Sequence, residues 1–207
     1  MTLVLHPPVG VATVRHSSSA GCNFCIEDVM TVVLLSMLLM TTLSADQQPL
    51  AVVNNLDIDK YAGRWFEIAR FPNRFQDQCT GDVTAEYVPR PDGRITVRNR
   101  YRTSDGRWDD AEGIARRPSK APASVLEVRF APAFLSFLPM VWGDYQVIAL
   151  DEGHTYSLVG TPDRKYLWIL ARAPKLDDAV FEKLLSIASA QGFDVRRLIR
   201  TPQTADQ

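Results

Sequence analysis

The chain has 207 residues, 46% of them hydrophobic, with 24 acidic and 23 basic side chains and a formal net charge of -1. That length suffices for one domain with a real core plus appendages. Near-neutrality without a basic block argues against nucleic acid, or an anionic membrane, as an electrostatic partner and leaves apolar ligands open.

The first 45 residues differ from the rest, since only Arg15, Glu27 and Asp28 are charged there. Val29 to Leu43 is an apolar run shorter than the roughly 20 residues of a membrane span. Ser44-Ala45 and then polar Asp46-Gln47-Gln48-Pro49 follow it. Residues 29–45 therefore read as a secretory signal with cleavage after Ala45, leaving 46–207 as the folded domain. No Lys or Arg lies between Arg15 and the run. A translation start at Met30 or Met37 would explain this, with residues 1–28 an upstream extension; an uncleaved anchor is the alternative. Cys22 and Cys25 form a C-x-x-C inside this leader, without the strand–helix context of a redox motif or a second pair for zinc. Cys79 is then the sole cysteine of the mature chain, so no internal disulfide forms.

From Asn54 onward, turn signals recur at 89–93, 104–106, 118–122, 151–153 and 161–163. Between them lie eight strand-length runs: 64–71, 80–88, 94–102, 108–116, 124–130, 143–151, 156–161 and 166–172. In the third, Ile95, Val97, Asn99 and Tyr101 alternate with Thr96, Arg98, Arg100 and Arg102, the pattern of a sheet wet on one face. Leu126, Val128 and Phe130 oppose Glu127 and Arg129 in the same way. Eight short antiparallel strands close naturally into an up-and-down barrel whose interior holds side chains or one small ligand. Ala85, Asn99 and Ala149 are small or polar inner-face residues that leave room for a cavity. Beyond the last strand, Asp177-Asp178 start a helix with an apolar stripe of Val180, Phe181, Leu184, Leu185 and Ala188, and Gly192 ends it. Residues 193–199 are compatible with a short ninth strand.

Three blocks carry a family resemblance: the opening Val52 to Phe71, which contains Gly63-Arg64-Trp65, then Gly143 to Asp151, then Tyr166 to Arg172. In this order, over roughly residues 52–200, the chain resembles the bacterial lipocalins of the Blc type, relatives of apolipoprotein D and the plant temperature-induced lipocalins. The resemblance implies barrel closure by Gly63, Trp65 and Arg172, with the guanidinium over the indole. It implies a fatty acid or lysophospholipid as cargo and a place in the cell envelope, in the periplasm or at the outer membrane. Blc-type proteins are anchored through a cysteine after the signal, whereas here Asp46 follows Ala45.

Alternate loops of such a barrel share one rim, here 72–79, 103–107, 131–142 and 162–165. Loop 131–142 is uncharged and carries Phe134, Leu135, Phe137, Leu138, Met140 and Trp142. An apolar loop of this kind marks a membrane, a partner or a ligand mouth; folding inward as a lid is the plainer alternative. Inward positions expected to meet the lipid are Val83, Tyr87, Ile95, Val97, Leu126, Val128, Tyr145 and Val147, with Phe75 and Trp142 at the mouth. Asn99, Tyr101 or Arg74 would serve the head group. The competing class is an enzyme using Cys79 as nucleophile, but the mature chain's only histidine, His154, lies in a turn expected at the other end. A structural envelope protein without cargo is a third reading. No cofactor, metal set or nucleic-acid partner is expected, and pairing of two barrels through their rims is compatible with the sequence.

Overall fold

The computed structural model describes residues 48–204; the leader, with Cys22 and Cys25, lies outside them. A four-residue helix α1 (Ile58–Tyr61) precedes the strands β1 (Gly63–Arg70), β2 (Gly81–Pro89), β3 (Ile95–Arg102), β4 (Trp108–Arg116) and β5 (Val125–Arg129). After them come β6 (Gly143–Leu150), β7 (Tyr156–Gly160), β8 (Leu167–Ala171), helix α2 (Asp178–Ala190) and the short β9 (Ile199–Arg200). Each strand from β2 to β7 pairs antiparallel with the next, β8 pairs with β1, and β1 closes on β2. Closure of the eight strands removes their free edges.

The β1–β2 seam is short. Its register runs from Gly63 opposite Tyr87 to Phe66 opposite Thr84, after which the two strands part. The C-terminal tail fills the gap. Ile199 and Arg200 pair with Arg70 and Ala69, the Thr201 N–H donates to the Ile68 carbonyl at 3.0 Å, and the Asp82 N–H donates to that of Pro202 at 2.8 Å. Gln203 Nε2 then spans the seam, donating to the carbonyls of Glu67 at 2.8 Å and Val83 at 3.0 Å. The ninth strand is thus shorter and later than the 193–199 expected from sequence, because Val195–Arg197 forms a 3-10 turn first.

Two apolar clusters result from the alternation of the strands. Outside the barrel, Phe66, Ile68, Ile148, Leu158 and Ile169 pack under Phe181, Leu184 and Ala188 of α2. Asp177 caps that helix, its Oδ1 accepting from the Ala179 N–H at 2.8 Å. Inside, Leu56, Tyr61, Trp65, Ile95, Leu126 and Val147 fill the end nearest α1. Ala149, expected on the inner face, packs against the outer cluster instead. A register shift between Val147 and Ala149 changes which side successive residues face, as bulges do.

Arg172 closes the barrel. Its guanidinium lies 3.9 Å from the centre of the Trp65 ring. It also donates to the carbonyl of Arg64 at 2.7 Å, and to those of Lys60, Tyr61 and Ala62 at 2.8, 3.1 and 2.9 Å. The last three are the carbonyls that a helix end leaves without intrahelical partners. Trp65 Nε1 donates to the Tyr61 carbonyl at 2.8 Å, so the indole is held by its edge and by its face. Trp65→Ala is expected to cost about 3–5 kcal/mol, as removal of a buried tryptophan generally does. Thermal melting would register this as a large fall, while ligand uptake measured well below the new midpoint survives; an unchanged midpoint with lost uptake would refute the closing role.

Candidate functional site

The barrel interior beyond this plug is open. A cavity of about 490 Å³ runs from the mouth to the middle of the barrel, within the usual size range of small-molecule sites. Of the residues expected to meet a ligand, Phe75, Val83, Tyr87, Val97, Asn99, Tyr101, Val128, Trp142 and Tyr145 line it. Ile95, Leu126 and Val147 do not. They belong to the closed-end core, where Ile95 and Leu126 also border a separate cavity of about 210 Å³. Strand alternation assigns a side chain to the inside but says nothing of its depth. Arg74 is exposed in the 3-10 turn Arg74–Gln76 and is not among the lining residues.

A layer of tyrosines makes the floor. Tyr145 Oη is 2.8 Å from Tyr61 Oη and 2.9 Å from Tyr87 Oη, and Tyr61 Oη is 3.2 Å from Ser157 Oγ. Burial raises the pKa of all three phenols, so they stay neutral and satisfy one another. A ligand tail reaching this floor therefore displaces no bond that must be remade.

One wall is polar, and sequence reasoning missed it. Glu67, of β1, lines the cavity while almost fully buried. Its Oε1 accepts from Thr201 Oγ1 at 2.5 Å and its Oε2 from Gln76 Nε2 at 2.7 Å, with Arg70 Nε 3.6 Å away. Gln76 Oε1 accepts in turn from Asn73 Nδ2 at 2.7 Å and Trp168 Nε1 at 3.1 Å. This chain of bonds ties loop 72–79 to β8 and to the C-terminal tail. Trp168, read from sequence only as part of the third block, lines the cavity with Tyr166 and Phe75. The Tyr166 and Trp168 rings stack with centroids 5.9 Å apart, and Phe75 lies 5.3 Å from Tyr166. The available signal was that Trp168 and Leu170 alternate with Leu167 and Ile169.

Loop 131–142 stays on the surface. Its Phe134, Phe137 and Met140 are 73%, 76% and 86% exposed, whereas Leu135 and Leu138 are half-buried. Trp142 anchors it, with Arg116 3.7 Å and Arg129 5.3 Å from its ring centre and its Nε1 donating to the Ser136 carbonyl at 2.9 Å. Phe75 and Phe130, about half exposed at the same mouth, extend the apolar rim.

Cys79 also lines the cavity as a free thiol. Burial, with the Glu67 charge adding to it, pushes the thiol up to about 11, against the pull of Arg70. At neutral pH it is protonated, the unreactive form. Asp110 and Glu112 pair with Arg100 and Arg98 on the exposed outer face, and Asp109 accepts from Tyr101 Oη at 3.2 Å. Among the described residues no group of three or more His, Cys, Asp or Glu side chains is placed to hold a metal ion.

Burial raises the Glu67 carboxyl above its ordinary value of 4.5, against the hydrogen bonds from Thr201 and Gln76 and the charge of Arg70. Between the unfolded and folded values the native state keeps a proton that the unfolded chain has lost, so stability falls as pH rises through that window. Glu67→Gln removes this titration. The melting temperature of the variant relative to the parent is expected to rise as pH is raised above about 4.5; a difference independent of pH would show that Glu67 does not titrate there.

Residues 56–203 match the lipocalin-like domain family. The chain is 41% identical over 153 residues to the outer membrane lipoprotein Blc of Escherichia coli K12, covering 73% of this chain and 82% of the relative. It is 38% identical over 161 residues to temperature-induced lipocalin-1 of Arabidopsis thaliana, covering 77% of this chain and 86% of that one. The fold is also that of insecticyanin from the tobacco hornworm Manduca sexta, with a TM-score of 0.57 at 22% identity over 76% of this chain and 87% of that structure. A closed eight-stranded antiparallel barrel with a plugged end, an open apolar cavity and an outer helix suits a small hydrophobic ligand, and the chain belongs to the lipocalin family.

Proposed function

We propose that this protein binds and carries a single-chain lipid, of the fatty acid or lysophospholipid type, in the bacterial cell envelope. The observation that carries the reading is the cavity of about 490 Å³, closed below by mutually satisfied tyrosines and open above at an aromatic rim. Its walls offer apolar area to a tail. The likeness to outer membrane lipoproteins supports an envelope setting, and the apolar run at 29–43 with its polar flank supports export. Binding is favoured over catalysis because, among the described residues, the one thiol in the cavity is held protonated and no histidine lines its wall.

The rim loop gives the carrier a way to reach its cargo. Phe134, Phe137 and Met140 present apolar area beside the mouth, and such patches are the usual mark of a membrane or protein contact. Inserting them shallowly into a bilayer surface would place the cavity entrance at the level of the lipid heads. A second barrel docking on the same rim would cover the same side chains.

Native mass spectrometry of the full chain, purified without detergent, is expected to show one lipid per barrel or per dimer, identified after extraction. A chain that is empty and also rejects added lipids would overturn the carrier reading. Replacing Phe134, Phe137 and Met140 together by serine is expected to weaken co-sedimentation with phosphatidylethanolamine–phosphatidylglycerol vesicles at least about fivefold, in line with the apolar area removed. Melting temperature and uptake of dissolved lipid should stay unchanged. Equal co-sedimentation of variant and parent would remove the membrane role from this loop.

A further inference from the structure

The charge of the cavity wall is one-sided. Among the described residues, Asp144 and Asp163 line the cavity, together with Glu67, whose burial disfavours its charged form, and no Lys, Arg or His does. Of the basic groups nearby, three already face an acid, while Arg129 donates to the Ala131 carbonyl beside the Trp142 ring. Arg70 lies against Glu67 at 3.6 Å, Lys165 pairs with Asp163 at 3.0 Å, and Arg116 pairs with Glu127 at 2.8 Å while stacking on Trp142. Asp144 has no ion pair among the described residues. Burial, and after it the neighbouring charges of Glu127 and Asp163, raise its carboxyl. A carboxylate head carried into this mouth would meet like charge and no cation.

The same mouth is walled by aromatic faces. Phe75, Tyr166 and Trp168 form one continuous cluster with ring centroids 5.3 to 6.4 Å apart, and Tyr101 and Phe130 also line the cavity. Aromatic faces attract a desolvated cation through their quadrupoles, and most strongly a quaternary ammonium. Resting on the carrier reading, we infer that the barrel prefers a single-chain amphiphile whose head bears an ammonium, held against the Phe75, Tyr166 and Trp168 wall, to one with a carboxylate head. The cargo class is then an alkylammonium or ammonium-headed lysolipid rather than a free fatty acid. Asp163 and Asp144 are the residues that set the preference, and the apolar tail runs down to the tyrosine floor.

Displacement of the uncharged fluorophore N-phenyl-1-naphthylamine from the full chain at low salt compares three ligands with one tail: decyltrimethylammonium, decanol and decanoate. The ammonium is expected to bind at least about tenfold more tightly than the carboxylate, with decanol between them. The ratio should shrink in about 0.5 M sodium chloride. It should also shrink in the Asp144→Asn, Asp163→Asn double variant, whose new amide at 163 keeps the oxygen that accepts from Thr161 Oγ1. Decanol affinity should be the same in variant and parent, which controls for folding. Decanoate binding as tightly as the ammonium, or a ratio untouched by the double variant, would overturn the preference and leave the carrier reading standing. Failure of all three ligands and of the fluorophore to bind would overturn both.

Discussion

The contact between Arg172 and the first turn of the barrel is the constraint on which the rest depends. A single guanidinium covers the Trp65 ring and satisfies carbonyls of Lys60, Tyr61, Ala62 and Arg64. The stacking alone is worth roughly 0.5–2 kcal/mol, but the hydrogen bonds give it direction. They fix the end of α1, the start of β1 and the end of β8 relative to one another. A lysine would offer one point charge on a flexible stem, without the planar fork that stacks and donates at once. Gly63 turns the chain between helix and strand at φ +89°, a backbone conformation in which a side chain would be strained even though a Cβ there would meet Arg172 Nη1 at an ordinary 3.6 Å.

With one end closed in this way, stability and function occupy different halves of the barrel. The end below the tyrosine layer, and the outer cluster under α2, are packed with side chains. The end above that layer is left open, so it contributes less burial and more exposed apolar area. Proteins tolerate such a site when the remaining structure over-determines its geometry. The floor hydroxyls mark the border between the two halves, since each finds its partner inside the protein.

The mouth is held together by residues far apart in the chain. Glu67 receives bonds from Gln76 in the first loop and Thr201 in the tail, and Gln76 receives one from Trp168. A buried acid in such a network is costly to ionise, and its full set of partners keeps it in place. The tail itself completes the wall where β1 and β2 part. Loop 131–142, by contrast, is fixed mainly at Trp142 and leaves its other large side chains to solvent.

The strand pattern, the three sequence blocks and the capped outer helix were legible in the sequence, because alternation, turn residues and helix caps are local physics. The apolar character of loop 131–142 was legible for the same reason, and so was the inward set headed by Val83, Tyr87 and Val97. Depth along the barrel was not: Ile95, Leu126 and Val147 face inward like their neighbours but fall beneath a floor made by tyrosines from α1, β2 and β6. The bulge that turns Ala149 outward and the burial of Glu67 were equally hidden, since each depends on which distant strand or tail lies alongside. Sequence by itself determined that this chain would close a barrel around Trp65 and Arg172. Only the tertiary structure decided where the barrel is hollow, which side chains reach the hollow, and that its wall carries acids and aromatic faces and, among the described residues, no cation.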